Sequence, residues 1–452
     1  MPTAIGLLFF GFGAYYFLAR EDGLLGLLLV ASIFQAASAL DVAERGIQPC
    51  YLIEGFIIVR ALLNQLLPKA IPPAMPNSRW LLAFAGISTA SALLLPVVFA
   101  GMPVYAPKVG IDEGFLNRPP LSLGLNNAAQ GGFLIWHIVA AYAIRWLPFS
   151  SSKTRKALLA AFYLVVFFVF SQSLCHFAGI TYPDSLTRNN PGYQISDLTL
   201  EVSGARNPGS FSEPSFAGAF LVFFCIGFIA DYLEEEGSAL RVVVALLASS
   251  VVASSGSLFT ILIFVLALLI RNTPFRFPWF VNVRRFKRVA WILLILVTPL
   301  TLVLVVSPAY RETLASSTVF KGDTGSFQFR TASDLYALQL LLRTYGLGVG
   351  MGSNRASSLL TSMLSNIGVA GCFAFAIFIS RLFNDIKRAP WIVWAFWALL
   401  LNMVIDIPDV TFPTLWVVIM LALSLQVCGR AKVSYQVKKN PALALTAKGQ
   451  SA

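Results

Sequence analysis

The strongest constraint on this chain is the recurrence of apolar runs near the length of about 18–22 residues that an α-helix needs to cross a bilayer. The weakest of them is Tyr51–Leu67, which contains Glu54, Arg60 and Asn64. The other predicted spans are Thr3–Ala19, Gly23–Leu40, Ala83–Gly101, Ala128–Leu147, Ala157–Cys175, Ser215–Tyr232, Leu240–Ala253, Ser257–Ile270, Val289–Ser307, Met363–Arg381, Trp391–Ile405 and Thr411–Cys428. No soluble domain interrupts these runs, so they predict an all-α polytopic membrane protein, a single membrane domain with about 12–14 transmembrane helices.

The composition excludes a soluble enzyme with a membrane anchor. Of the 452 residues, 57% are hydrophobic and 12% are charged, whereas soluble domains average about 25% charged residues. The formal net charge of +12 is explained first by basic cytoplasmic loops that face anionic lipid, and only second by an anionic ligand. Nucleic-acid binding has no support, because the chain has no compact basic domain.

Cysteine and histidine are too few and too scattered to indicate a cofactor. The 5 cysteines show no CxxC or Cys/His spacing, and His137 and His176 are the 2 histidines of the chain. We therefore expect no disulfide framework, no metal site and no cofactor. His137 is expected to be packed and hydrogen-bonded, because it lies on an otherwise apolar face. The N-terminus lacks a basic n-region and a cleavage site, so it is predicted to be a first span and not a removed signal.

Charged residues inside the apolar run Tyr51–Leu67 need a reason, because each costs about 2.5–3.5 kcal/mol on insertion scales. Glu54 and Arg60 are expected to pair with polar groups on neighbouring helices, or to show that the segment is partly interfacial. The two alternatives differ in whether this run crosses the membrane.

Short loops rich in Lys and Arg orient the spans, because such loops remain in the cytoplasm. Their basic residues are Lys153, Arg155, Lys156, Arg271, Arg276, Arg284, Arg285, Lys287, Arg288, Arg381, Lys387, Arg388, Arg430, Lys432, Lys438 and Lys439. If Tyr51–Leu67 spans, all of these loops fall on one side, with the N-terminus outside and the tail 429–452 in the cytoplasm. Two long polar segments, His176–Pro214 and Pro308–Ser362, then form large loops on the outer side.

The first outer loop ends in Gly204–Phe220, where an arginine, turn residues and a Glu-Pro pair precede a long apolar run. Pro214 suits a first helical turn, so Ser212 or Glu213 is the predicted N-cap region. Two interpretations are about equally favoured by this stretch. It is an ordered loop docked on the mouth of a transmembrane helix, or it is a capped helix start with nothing bound.

The second outer loop carries more basic charge than an outer loop usually holds. Its cations are Arg311, Lys321, Arg330, Arg343 and Arg355, against the acids Glu312, Asp323 and Asp334. Such a loop suits an anionic ligand, although a merely solvated loop is the simpler alternative. Within it, the spacing of Phe327–Tyr345 predicts a helix that lies along the membrane surface with its apolar face down.

Four alternating glycines follow that helix, at Gly346, Gly348, Gly350 and Gly352. They cannot form a stable helix, but they permit close backbone approach and could offer N–H groups to an oxyanion. No GK[ST] sequence follows, so the stretch is not a Walker loop. Ser353-Asn354-Arg355 is expected to cap the next helix.

The order of these motifs resembles a known family. Arg-x-x-Gly-Ser-Phe-x-Glu-Pro-Ser at Arg206–Ser215 opens a span, and Ser254-Ser-Gly-Ser257 lies between the next two spans. Arg330 then precedes the four glycines and Asn366-Ile-Gly-Val-Ala-Gly371. Together they resemble the bacterial O-antigen and exopolysaccharide polymerases of the Wzy type and the related O-antigen ligases. The resemblance covers roughly Arg206–Gly371, and its support is the order of the motifs, since no single motif is specific.

The resemblance implies a membrane glycosyltransferase (GT-C-like) fold with two large periplasmic loops, 176–214 and 308–362. It also implies metal-independent transfer of sugars linked to undecaprenyl pyrophosphate, at the periplasmic face of the bacterial inner membrane. Ligases of the family characteristically carry a histidine in the region that here reads Ser353–Ser365, and this chain has none there. That departure favours a polymerase, working beside a chain-length regulator and a flippase of the same pathway.

The predicted mechanism moves a growing glycan from its polyprenyl pyrophosphate to a hydroxyl of a second lipid-linked repeat unit. Arg206 and Arg330 are the first candidates to stabilise the leaving pyrophosphate, because guanidinium groups stay charged and bind phosphate in bidentate fashion. Glu213 is the candidate to accept or orient the attacking hydroxyl's proton, and a helix N-terminal charge is its equally favoured alternative role. The predicted substrate-binding residues are Arg311, Arg355, Ser353, Asn354, Ser212 and Asp406.

Three other functions compete with a polymerase. An O-antigen ligase would transfer the glycan to a lipid A core acceptor. A transporter or flippase would move an anionic or lipid-linked substrate, but transporters place polar features near the midplane and often show repeats. Here the polar residues gather at the outer ends of the spans and no repeat is visible. A structural partner in a polysaccharide export complex is the third alternative.

Overall fold

The computed structural model describes residues 1–42, 45–66, 75, 78–105, 118–192, 207–234, 237–272, 288, 291, 294, 325–384, 386 and 390–439. Within these ranges the chain is mostly helical, with one short antiparallel hairpin of β1 (Leu40–Val42) and β2 (Arg45–Ile47). The thirteen α-helices of the described residues are α1 (Ala4–Ala19), α2 (Leu24–Ala31), α3 (Pro49–Leu66), α4 (Ser78–Val98), α5 (Leu125–Ala143), α6 (Ser151–Phe177), α7 (Pro214–Leu233), α8 (Ala239–Val252), α9 (Ser255–Asn272), α10 (Gly325–Arg343), α11 (Leu359–Asn384), α12 (Pro390–Asp406) and α13 (Pro413–Lys439).

Five of the described helices, α3, α4, α6, α7 and α11, are long and apolar enough to cross a membrane. Shorter apolar helices lie within α1, α8, α9, α12 and α13. The chain is therefore an all-α multi-pass membrane protein, as predicted, while the number of 12–14 spans stays a prediction. The weakest predicted span is one of the five, as α3, and most of the predicted span Val289–Ser307 lies outside the described residues.

Helix α7 is the centre of the bundle. It is hydrophobic on all sides and packs against α8, α9 and α12, as expected of a helix buried within a larger assembly of helices. Its glycines allow the closest contacts, because a Cβ on Gly218 would lie 2.1 Å from Ser257 Oγ, and one on Gly227 would touch Trp391 and Ala395. Pro214 is its first residue and Glu213 its N-cap, which confirms the predicted helix start.

Basic residues gather at one end of the bundle, which we call the basic end. Three ion pairs lie there: Arg60–Glu21 at 2.6 Å, Lys153–Asp22 at 2.5 Å and Arg155–Asp231 at 3.9 Å. At the same end, Arg271 lies over Trp394 and Arg381 over Trp80. The pairing of Arg60 with Glu21 confirms the expectation that charges in this span bind neighbouring polar groups.

The opposite end of the bundle, which we call the site end, contains the starts of α3, α5, α7, α9, α11 and α13. The predicted span Gly23–Leu40 is wrong here, because α2 stops at Ala31 and residues 32–39 are non-helical and almost wholly buried. This buried backbone is hydrogen-bonded by distant residues: Ser210 Oγ donates to Ile33 O at 2.6 Å, and Ser38 N donates to Asn189 Oδ1 at 2.9 Å. Irregular backbone at membrane depth is tolerated where protein covers it in this way.

Helix α10 confirms the helix predicted within the second outer loop. The face predicted to be apolar is exposed on the protein, since Leu335 is 56% and Leu342 77% exposed. Tyr336 and Leu340, on the other side of α10, are buried against Val104, Leu121 and Val349. A helix with one packed side and one exposed apolar side has the pattern expected of a helix at a lipid surface.

The alternating glycines after α10 pack against a break in α11. Gly368 has a φ of 70° inside that helix, and the opened backbone accepts bonds from Val349 N to Ser365 O and from Gly350 N to Asn366 O. Gly348 and Gly350 have φ values of +82° and +107°, and added Cβ atoms would lie 2.8 Å from Ser365 O and 2.6 Å from Pro96 Cδ. The predicted close backbone approach is confirmed, and its partner is the Asn366–Gly371 motif.

We expect Gly350→Ala to lower the free energy of unfolding by about 2–4 kcal/mol, because it adds a strained backbone angle to a steric clash. Thermal unfolding in detergent measures the change. Gly86→Ala is the matched control, because Gly86 lies in α4 with no atom within 4 Å of an added Cβ. Equal melting temperatures for the two variants would contradict the structural role assigned to the glycines.

Candidate functional site

An ion pair between α10 and the helix bundle lies at the centre of the candidate site. Arg330 Nη1, in the second turn of α10, lies 2.8 Å from Oδ1 of Asp406, the last residue of α12. The Asp406 side chain is 6% exposed and that of Arg330 is 24% exposed. A buried carboxylate therefore holds a guanidinium that remains accessible, and its other N–H donors bind no described residue.

Asp406 is held from its other side by the turn between α8 and α9. Ser254 Oγ donates to Asp406 Oδ2 at 3.3 Å, and Ser257 Oγ donates to Ser254 Oγ at 3.0 Å. A Cβ on Gly256 would lie 2.0 Å from Asp406 Oδ2, so only glycine leaves room for this carboxylate. The structure thus brings together the Ser254–Ser257 motif, Arg330 and Asp406, which lie far apart in the sequence.

The start of α7 lies beside the turn between α8 and α9 and beside Phe412, which precedes α13. Gly218 contacts Ser254 and Ser257, and the Phe216 and Phe412 rings are 5.2 Å apart. Glu213 is partly exposed and makes no capping bond to the α7 backbone; its Oε2 accepts from Ser215 Oγ at 3.3 Å. Glu213 thus holds the predicted N-cap position, while its carboxylate makes no capping bond to the helix backbone.

Ser212, predicted to bind substrate, is placed as a buried structural residue. Its N–H and Oγ donate to Gln35 Oε1 at 3.1 and 3.0 Å, and the residue is 2% exposed. Gln35 lies in the non-helical segment after α2, so Ser212 ties the first outer loop to that segment. A glutamine inside an apolar run was the sequence signal for this contact.

Asp334 fixes the turn of α10 that carries Arg330. Its Oδ1 accepts from the backbone N–H of Ser357 at 2.8 Å and from Thr361 Oγ1 at 2.6 Å, at the start of α11. Ser357 Oγ also donates to the carbonyl of Arg330 at 3.3 Å. An acid of the second outer loop is thus used to cap a helix, and it does not neutralise Arg330.

The residues around the alternating glycines serve mainly to hold the loop. Asn127 Nδ2 donates to Ser353 Oγ at 2.7 Å, and Asn354 Nδ2 donates to Ser365 Oγ at 3.1 Å. Both predicted binding residues are buried, while Arg355 is partly exposed and its N–H donates to Tyr105 O at 3.1 Å.

The expectation that the glycine-rich loop offers its N–H groups to an oxyanion is wrong for four consecutive residues. Gly348 N donates to Thr344 Oγ1 at 2.9 Å, and Met351 N to Ser91 Oγ at 3.0 Å. The N–H groups between them, of Val349 and Gly350, donate to carbonyl groups of α11. These four N–H groups, which an anion would need, are therefore already bonded to protein acceptors.

The predicted site residues Arg206 and Arg311 lie outside the described residues, so their relation to Arg330 is not described. Two polar residues that sequence reasoning did not select bond to segments that adjoin Asp406 in the structure or the chain. Asn402 Nδ2 donates to Ser257 Oγ at 3.2 Å, and Gln130 Oε1 accepts from Thr411 Oγ1 at 3.4 Å. Both are amides within apolar helices, which was the available signal.

Among the described residues, no group of three His, Cys, Asp or Glu side chains could hold a metal ion.

We expect Gly256→Ala to lower the free energy of unfolding by about 1–3 kcal/mol, because the added methyl must displace the Asp406 carboxylate or the α8–α9 turn. Thermal unfolding of the variant beside Gly86→Ala measures the cost. An unchanged melting temperature would show that the contact between Gly256 and Asp406 is looser than described.

Comparison with protein-family models finds no match to this chain, and a search of the curated proteins finds no significant match.

Proposed function

We propose that this protein is a glycosyltransferase of bacterial polysaccharide biosynthesis. It joins undecaprenyl-pyrophosphate-linked oligosaccharide repeat units at the periplasmic face of the inner membrane. The observation that carries the proposal is the partly exposed Arg330 guanidinium held by the buried Asp406 carboxylate, at the end of the bundle opposite its basic end. The order of sequence motifs from Arg206 to Gly371 supports the same function.

The reaction transfers one glycosyl group between two lipid-linked substrates. An acceptor hydroxyl oxygen bonds to the anomeric carbon of the donor glycan, and the bond from that carbon to the pyrophosphate oxygen breaks. Undecaprenyl pyrophosphate leaves with the electron pair and the hydroxyl gives up its proton. Negative charge grows on the leaving group, and positioned donors at a developing oxyanion are worth about 3–4 kcal/mol each.

Arg330 is suited to stabilise the leaving group because, among the described residues, Asp406 alone accepts a hydrogen bond from its guanidinium. Asp406 receives one bond from Nη1, which orients the planar guanidinium and leaves its other donors to a phosphate oxygen. Arg206 is the second proposed cation, and Arg355 and Arg311 are proposed to bind other oxygens of the substrates. These roles follow from charge and position in the loops.

Glu213 is proposed to accept or orient the proton of the attacking hydroxyl. Its carboxylate is partly exposed and contacts Ser215, without capping α7. A general base needs such an accessible carboxylate within hydrogen-bond reach of the hydroxyl. Membrane lipid surrounds the spans in this proposal, and a flippase and a chain-length regulator are the proposed partners.

A transporter of a lipid-linked or anionic substrate is the second candidate function, favoured by the breaks after α2 and within α11. Transporters use broken helices whose free backbone groups bind substrate and ions. In this protein several described backbone groups at both breaks bond to other protein groups, including Ser210, Asn189 and Val349. Because these backbone groups are bonded within the protein, the breaks favour a rigid scaffold. A rigid scaffold in turn favours the enzyme over the transporter.

Purified protein given lipid-linked repeat units should produce ladders of longer glycan without ATP or an ion gradient. Arg330→Ala should lower kcat by about 100- to 1000-fold, because the leaving group loses a positioned donor. Arg343→Ala is the matched control, since Arg343 is an exposed arginine in the last turn of the same helix. Arg206→Ala tests the second cation in the same assay.

Activity of the Arg330 and Arg206 variants equal to that of the Arg343 variant would remove the proposed site. Glycan found only on a lipid A core acceptor would replace the polymerase with a ligase. Substrate movement across vesicles without glycan growth would indicate the transporter.

Asp406→Asn should lower kcat by about tenfold while the protein still folds, because the amide keeps an acceptor for Arg330 but loses the charge. Steady-state kinetics with the lipid-linked substrate measure the change. Asp22→Asn is the control, since the Asp22 carboxylate pairs with Lys153 at the basic end of the bundle. If both variants behave alike, the charge of Asp406 does not act through Arg330.

A further inference from the structure

A carboxylate and an imidazole are paired inside the bundle, away from the residues considered so far. Glu54 of α3 and His137 of α5 both have side chains with 0% exposure, and His137 Nδ1 lies 2.7 Å from Glu54 Oε1. The imidazole is stacked 5.7 Å from Trp416, at an angle of 6°, and Tyr51 packs 4.9 Å from it. The other ring nitrogen, Nε2, lies 3.0 Å from the carbonyl oxygen of Thr411.

These contacts fix where the protons of the pair lie. A carbonyl oxygen can only accept, so His137 Nε2 carries a hydrogen and donates it to Thr411. One further proton then lies between Nδ1 and Glu54 Oε1, whichever of the two atoms it is bonded to. The pair is therefore neutral as a unit in either state, as an imidazolium–carboxylate pair or as two uncharged groups. This avoids the large cost of an uncompensated charge in an apolar interior.

Stability alone does not explain such a pair. Replacing a buried ion pair by apolar residues of similar volume is often neutral or stabilising. Glu54 Oε2 is in addition buried without a hydrogen-bond partner among the described residues, which is a further cost. A buried pair that adds little to stability and carries this cost points to a role in positioning another part of the protein.

The Thr411 carbonyl belongs to the mostly buried turn between α12 and α13, residues 407–412. This turn begins directly after Asp406 and ends in Phe412, whose ring packs on Phe216 near Glu213. Two of its other anchors are local, since Trp416 Nε1 donates to Val410 O at 2.7 Å and Thr411 N donates to Asp409 Oδ1 at 2.8 Å, and a third is the longer bond of 3.4 Å from Thr411 Oγ1 to Gln130 Oε1. The bond from His137 joins the turn to α5 and, through Glu54, to α3.

We propose that Glu54 and His137 are positioning residues for the transfer reaction, which rests on the proposed function. The carboxylate fixes the tautomer and orientation of the imidazole, and the imidazole holds the Thr411 carbonyl. The turn then places Asp406, and through it Arg330, against the leaving group. Neither residue touches substrate, so the pair acts on the rate of transfer and not on substrate affinity.

The double variant Glu54→Leu/His137→Leu tests the proposal, because it removes both polar partners together and leaves no unpaired charge. Its kcat should fall by about 10- to 100-fold, with the KM for the lipid-linked repeat unit unchanged, as expected when reacting groups are displaced. Glu54→Gln should stay within about twofold of the wild type, since an amide N–H donates to Nδ1 and preserves the bond to Thr411. Trp136→Phe is the matched control, because Trp136 neighbours His137 and bonds to Tyr51 O instead of the turn.

Wild-type kcat in the double variant, or equal losses of kcat in Glu54→Gln and the double variant, would overturn the positioning role. If the double variant does not fold, Glu54→Leu replaces it, with the same contrast to Glu54→Gln expected. A second readout separates this proposal from the proposed function. Amide hydrogen exchange of residues 407–412 should be faster in Glu54→Leu/His137→Leu, or in Glu54→Leu where that replaces it, than in Glu54→Gln. This difference is expected even if the wild type forms no glycan. Equal exchange rates would contradict the positioning role.

Discussion

The architecture depends on one constraint, that backbone N–H and C=O groups freed by a helix break inside an apolar bundle must be hydrogen-bonded by protein. After α2, the freed backbone is bonded by Ser210 and Asn189. Within α11 it is bonded by the segment that contains the alternating glycines. At the α12–α13 turn it is bonded by His137 and Trp416. Each break costs several kcal/mol if unsatisfied, which explains why buried polar side chains gather at one end of the molecule.

This constraint also explains the rigidity of the candidate site. Asp406 is the last residue of α12, and its carboxylate is held between Ser254 and Gly256 of the α8–α9 turn and Arg330 of α10. Because the carboxylate is buried and fixed, the guanidinium that it binds starts from a defined orientation. Positioned donors stabilise a developing charge more effectively than mobile ones, since they need not reorganise during the reaction.

The two ends of the bundle use their arginines differently. At the basic end, Arg60 and Arg155 pair with acids, and Arg271 and Arg381 lie over tryptophan rings. At the site end, Arg330 is partly exposed and, among the described residues, hydrogen-bonds through its side chain to one carboxylate. This difference underlies the proposal that the site end binds a diphosphate and that the basic end faces anionic lipid.

The sequence by itself determined the membrane class, the start of α7 at Pro214 and the helix of Phe327–Tyr345, because each follows from local hydropathy, capping or periodicity. It also selected Arg330, Asp406 and the Ser254–Ser257 motif as separate candidates. It did not determine the break after α2, since the apolar run Gly23–Leu40 has the composition of a continuous span.

Only the tertiary structure decided that Arg330 pairs with Asp406, that Ser212 bonds to Gln35 and that Glu54 meets His137. These pairs join residues 76, 177 and 83 positions apart, and local propensity carries no information about such contacts. The physical reason is that a buried polar group must find a partner, and the packing of the helices decides which partner lies within reach.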